Sequence, residues 1–88
     1  MQTQNNQLTQ AEIQEWLVSY LAETLEIDKN DVDIEEPFTR YGLDSSSAIV
    51  MTGDLGTFLG FDIDPTIPYD YPTIEALAKY LEEQKKVA

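Results

Sequence analysis

The chain reads as an all-α domain, a small four-helix bundle of three longer helices and one short one, with a long loop between helices one and two. Three observations predict it. Apolar residues recur at spacings of three and four in separate stretches. Helix-start signatures precede those stretches, and no alternation of apolar and polar residues marks a strand. Such stripes must be buried against one another, which for helices alone means a bundle with one long crossover.

Residues 1–8 are polar and amide-rich without periodicity and read as a flexible N-terminal tail. Thr9-Gln10-Ala11-Glu12 then matches the T-x-x-E capping box, in which the threonine oxygen and the glutamate each satisfy an amide left open at a helix start. Ile13, Trp16, Leu17, Tyr20, Leu21, Thr24 and Leu25 share one face of the helix that follows, which should run for about four turns. Over residues 27–44 the pattern breaks. Val32, Ile34 and Phe38 are apolar anchors there, so the loop is expected to be ordered. Its acids do not make a calcium loop. Counted from Asp28 the fifth position is Val32, and counted from Asp31 the glycine position holds Glu36 and the closing position Gly42. They read as a solvated face.

A second helix is expected from about Ser45 to Leu59, capped by Asp44 or Ser45. Ala48, Met51, Leu55, Phe58 and Leu59 would face the core. Ile49 and Val50 fall toward the other side with Ser46, Gly53 and Thr57, so the front of the helix is small and apolar where a solvated helix would be charged. That front either meets a partner or packs under the long loop. Gly53 and Gly56 inside this helix should each cost about 1 kcal/mol relative to alanine. Gly53 is read as allowing close approach of a partner or acyl chain, and Gly56 as relieving crowding against helix three. Asp64-Pro65 looks like an N-cap and first helical residue, with Pro68 holding the helix to one turn. Pro72-Thr73 opens the last helix, whose inward stripe is Ile74, Leu77, Ala78 and Leu81, with Lys85-Lys86 near its negative end. The domain is taken as residues 9–84, and 85–88 as a C-terminal tail.

Composition removes whole classes of function. There are 17 acidic and 5 basic residues, no histidine and no cysteine, for a net charge of −12. The absence of thiol and imidazole removes disulfides, the usual transition-metal ligands and the commonest general base. Five scattered positive residues cannot neutralise a phosphate backbone, so nucleic acid is not an expected partner. No basic start followed by an apolar run, and no membrane-length stretch, is present, so a cytoplasmic protein with no membrane partner is expected.

The informative segment is Tyr41-Gly42-Leu43-Asp44-Ser45-Ser46, a hydroxyl where a glycine-containing loop meets a helix. Ser45 is a poor catalytic nucleophile, because no histidine exists and no lysine stands near it in sequence to act as base. Nor does the segment match the G-x-S-x-G elbow. The open amides and positive dipole end of a helix start do suit a phosphate, so the serine is well placed to be modified by another enzyme.

Gly42-Leu43-Asp44-Ser45, the helix behind it, Leu59-Gly60 and the run Tyr69-Asp70-Tyr71-Pro72-Thr73-Ile74-Glu75-Ala76-Leu77-Ala78 together resemble an acyl carrier protein of the polyketide synthase type. The resemblance covers essentially residues 9–83. It implies that Ser45 carries a covalent 4′-phosphopantetheine arm taken from coenzyme A, with Asp44, Leu43 and Gly42 as the other cofactor-binding residues, and that Asp44 assists recognition by the phosphopantetheinyl transferase. The thiol of the arm would hold an acyl thioester. On this reading the chain is no enzyme but a non-catalytic carrier, and its missing cysteine and histidine follow because the reactive sulfur is imported.

The sequence also departs from the usual carrier pattern. Ser46 stands where most carriers have leucine, and Val50 and Gly56 stand where many fatty-acid carriers have glutamates that meet basic partner patches. Ser45-Ser46-Ser47-Ala48 with Thr52-Gly53-Asp54-Leu55 is more similar to carriers loaded by fatty acyl-AMP ligases at the start of lipopeptide and polyketide assembly lines. The implied cargo is a fatty acyl starter passed to a ketosynthase or condensation domain. The implied docking surface is Ser46, Ile49, Val50, Gly53 and Asp54, on a monomer. A peptidyl carrier of a nonribosomal peptide synthetase is the nearest alternative. A different class, an acidic helical interaction protein whose charge is its function, also stays open. A start at Met1 with a polar tail suits a free-standing carrier.

Overall fold

The computed structural model describes residues 9–87; the tail expected over 1–8 lies outside them. Helix α1 spans Gln10–Leu25, and its capping box is complete. The Glu12 amide donates to Thr9 Oγ1 at 3.2 Å and the Thr9 amide donates to Glu12 Oε1 at 2.9 Å. Ile13, Leu17 and Leu21 are fully buried. Trp16 and Tyr20 are half-buried, and Thr24, expected on the same face, is exposed and lines a hollow with Tyr20.

The long loop is ordered by its own turns and by ties to the far end of the chain. Asp28 caps a 3-10 turn at Lys29–Asp31, and a second 3-10 turn spans Phe38–Tyr41. The Tyr41 hydroxyl accepts from the Asp33 amide at 2.7 Å and donates to the Asp33 carbonyl at 2.9 Å, closing the segment on itself. Val32 and Phe38 are buried in the core. The Phe38 amide donates to the Pro72 carbonyl at 2.8 Å and the Glu75 amide to the Ile34 carbonyl at 3.0 Å. These bonds surround an antiparallel bridge between Pro37 and Thr73. Among the described residues there is no strand beyond that bridge.

Helix α2 spans Ser45–Leu59 with Asp44 as its N-cap. Ala48, Met51, Leu55 and Leu59 are buried as expected, but Phe58 is 40% exposed. It lies at the edge of the stripe nearest α1, where its ring stacks on Trp16 at 5.4 Å instead of entering the core. Thr52 is buried in its place. Its hydroxyl donates to the Ile49 carbonyl at 2.9 Å, the local bond that lets a threonine sit in an apolar interior.

Asp64-Pro65 does not open the short helix. Asp64 Oδ1 accepts the Thr66 amide at 2.9 Å and the Thr66 hydroxyl at 2.8 Å, a side-chain turn that absorbs the cap, and α3 begins only at Ile67–Asp70. It is a single turn, as Pro68 dictates. Helix α4, Ile74–Val87, starts under the Thr73 hydroxyl, which accepts the Ala76 amide at 3.1 Å. It continues through 85–87, into the segment taken as tail, because Glu-Glu-Gln-Lys-Lys contains no residue that stops a helix. Its stripe of Ile74, Leu77, Ala78 and Leu81 is fully buried, and α1 packs along it. Each of the large aliphatic side chains contributes about 1.5–3 kcal/mol by leaving water, which is how so short a chain holds one core. No described helix is long and apolar enough to cross a membrane.

Candidate functional site

The first turn of α2 is fixed by two neighbours in sequence. Gly42 has φ 78°, the left-handed region that glycine enters without penalty, and its amide donates to the Thr39 carbonyl at 3.1 Å. This turn brings the chain out of the second 3-10 turn and lets Leu43 fold inward. Asp44 then takes extended geometry, φ −94° and ψ −175°, and its Oδ1 accepts the Ser47 amide at 2.9 Å while its carbonyl accepts the Ala48 amide at 2.9 Å. The Ser47 amide holds the Asp44 carboxyl below its ordinary pKa. Ser45 is therefore the first helical residue after an ionised cap, on a turn whose flanking residues Asp44 and Ser46 are exposed.

Two hollows flank this turn. One, of about 380 Å³, is lined by Phe38, Leu43, Asp44, Ala48, Pro68 and Tyr69 among others, between the loop and α3. The second, of about 230 Å³, lies toward α1 and is lined by Tyr20, Thr24, Leu43, Ser46, Ser47 and Val50. The front of α2 is open. Ile49 is 54% and Val50 58% exposed, so the loop does not cover them. A methyl group placed on Gly53 would meet nothing within 4 Å. Asp54 is exposed and lines a hollow with Tyr20 of α1. Ser46, Ile49, Val50 and Gly53 thus form one continuous surface, with Asp54 on its α1 side.

The sequence marks most residues of the first hollow, but for other roles: Phe38 as a loop anchor, Ala48 as core and Pro68 as the limit of a short helix. Nothing local to them tells that they meet beside Asp44. A serine at a helix start between exposed neighbours, an ionised cap beside it and an adjoining mostly apolar hollow fit a flexible arm attached by a phosphodiester.

A family model described as "Phosphopantetheine attachment site" matches residues 15–81. The chain belongs to this family of carrier proteins. Among curated relatives the carrier is 32% identical over 74 residues to acyl carrier protein TtuC of Teredinibacter turnerae, covering 84% of this chain and 85% of that one. It is 39% identical over 67 residues to polyketide synthase PksL of Bacillus subtilis, covering 76% of this chain but only 2% of PksL. Among solved structures, Asl1650, an acyl carrier protein from Anabaena sp. PCC 7120 with a variant phosphopantetheinylation-site sequence, superposes with a TM-score of 0.85. It is 36% identical, with 97% of each chain covered. The carrier is thus of the polyketide synthase type, and its prosthetic group is 4′-phosphopantetheine. It is not itself a catalyst. In carrier proteins of this family the chemistry is performed by the modifying and synthase enzymes that act on them.

Proposed function

We propose that residues 9–84 form a carrier domain in which Ser45 receives the arm and that its cargo is a fatty acyl starter unit for polyketide or lipopeptide assembly in the cytoplasm. When bound, the arm supplies a thiol that holds the acyl group as a thioester. Everything else falls to this chain's own residues. Asp44 caps α2 and keeps the first turn in one geometry, Gly42 and Leu43 set the angle at which it leaves the loop, and Ser45 offers the hydroxyl. The observation that carries the attachment assignment is the Asp44–Ser47 cap, which makes Ser45 the first residue of α2, between the exposed Asp44 and Ser46.

The front of α2 supports the choice of loading partner. Where a strongly acidic recognition face would be lined with carboxylates, this one presents Ser46, Ile49, Val50 and Gly53, with Asp54 at the side. Such a surface suits a fatty acyl-AMP ligase that docks through small apolar contacts, followed by a ketosynthase or condensation domain. The test is to convert the carrier to its arm-bearing form and offer matched panels of fatty acyl and aminoacyl adenylates with their ligases, reading thioester formation by intact mass. Loading by fatty acyl donors is expected. Loading by aminoacyl donors alone would replace this reading with that of a peptidyl carrier.

A further inference from the structure

Tyr20 stands at the junction of two hollows on the seam between α1 and α2. The lower one, of about 350 Å³, is lined by Trp16, Ser19, Tyr20, Glu23 and Asp54. The upper one is the hollow that runs past Val50 to Ser46 and Ser47. The two helices face each other across the seam with stripes of like period. Trp16 and Tyr20 lie one turn apart on α1, and Val50, Asp54 and Phe58 recur every fourth residue on α2. The lower wall is preorganised, because Trp16 stacks with Tyr20 at 5.1 Å and with Phe58 at 5.4 Å. Across from it the Asp54 carboxylate lies close enough to the Tyr20 hydroxyl for its charge to act on it. Glu23 and Asp54 are both exposed, and no lysine or arginine lines either hollow. Lys29 and Arg40 are engaged elsewhere, on Glu15 at 3.7 Å and Glu36 at 3.9 Å.

Aromatic sides with carboxylates at the mouth complement one side chain above others. The methylenes of an arginine cover ring surface, while its planar fork reaches more than one carboxylate, which the point charge of a lysine does less well. The exposed apolar groups that continue the seam, Val50 at 58% and Phe58 at 40%, favour a protein over a small cation, since a docked protein buries them as its arginine enters. We propose that the α1–α2 seam is a docking trough in which the lower hollow receives an arginine side chain of a partner enzyme, while the rest of the partner lies along the upper hollow toward the first turn of α2. The trough rests on the carrier reading only for the kind of partner, an acyl-handling enzyme. Burial first, and then the Asp54 charge, hold the Tyr20 hydroxyl above its ordinary pKa, so the wall stays a neutral donor at physiological pH. Because the carboxylates are solvated, the contact is weak and salt-sensitive, which suits a carrier that must be released.

The test is amide and indole chemical-shift mapping of the full chain titrated with N-acetyl-arginine amide, against the lysine analogue, the neutral citrulline analogue and magnesium at matched ionic strength. Saturable shifts centred on Trp16, Tyr20, Glu23 and Asp54 are expected, larger for arginine than for lysine and absent for citrulline. A Glu23→Gln, Asp54→Asn variant should weaken them at least about fivefold, whereas Glu75→Gln with Glu83→Gln, on exposed α4 positions, should not. Shifts spread evenly over the acidic surface, equal shifts with citrulline or lysine, or the same pattern with magnesium would overturn the proposal. A carrier that takes its arm normally yet shows one of those outcomes overturns the trough alone.

Discussion

A methyl group on Gly56 would lie 2.8 Å from the carbonyl oxygen of Phe61, closer than side-chain carbons approach backbone oxygens. The crowding at this glycine therefore comes from the backbone that leaves α2, not from another helix. Gly56 is also where that exit is tied, its carbonyl accepting the Gly60 amide at 2.7 Å and the Phe61 amide at 3.2 Å. Gly56→Ala should lower stability by about 1–3 kcal/mol, because overpacking against immobile backbone outweighs the alanine helix preference. Thermal melting with denaturant titration checks it, and a stabilised variant would be the wrong sign.

Gly53 predicts the opposite. A methyl group there meets nothing within 4 Å, so Gly53→Ala should raise stability by up to about 1 kcal/mol. The same methyl projects from the open front of α2 and should slow acyl loading in single-turnover measurements. A stabilised variant that loads at the original rate would leave this glycine without a docking role.

The two glycines illustrate what could be read from the sequence. Signals confined to three or four residues were legible, and the Thr9–Glu12 box, the Asp44 cap and the buried stripe of α4 all stand where pattern put them. What failed depended on contacts that the repeating pattern does not record, whether near or far in sequence. Phe58 has the spacing of a core residue, yet its ring finds Trp16 across the seam and stays half out. Asp64-Pro65 carries a helix-start signature, but the Thr66 hydroxyl competes for the same carboxylate and delays the helix. The hollow beside Asp44 needs Phe38, Ala48 and Pro68 brought together, and no local pattern encodes that. Whether the front of α2 was covered by the loop was also undecidable until the Phe38–Pro72 and Glu75–Ile34 bonds drew the loop toward α4.

The Asp44 cap predicts a pH dependence with a definite sign. The Ser47 amide lowers the pKa of Asp44 in the folded state, so its stabilisation is present above the ordinary carboxylate value and is lost as pH falls through the lower folded value. Asp44→Ala should therefore melt below the parent at neutral pH, and the gap should narrow on acidification below the ordinary carboxylate range. Asp64, lowered by the Thr66 amide, should behave likewise but without any effect on attachment of the arm. A gap that stays constant with pH would contradict the cap.

Ile49→Glu should leave the fold intact, within about 0.5 kcal/mol, because the side chain is 54% exposed. Loading by an acyl ligase should nevertheless fall severalfold, since a charge would be buried without a partner in a small apolar contact. Paired melting and loading rates decide it. Normal loading would move the docking surface off the front of α2.

The attachment of the arm at Ser45 is tested most directly by incubating the unmodified carrier with a phosphopantetheinyl transferase and coenzyme A, then reading intact mass and mapping the modified peptide. The account predicts one added arm per chain, located on Ser45, and none on a Ser45→Ala variant that melts as the parent does. An unchanged mass under conditions that convert a known carrier completely, or an arm found on Ser46, Ser47 or the Ser45→Ala protein, would contradict it.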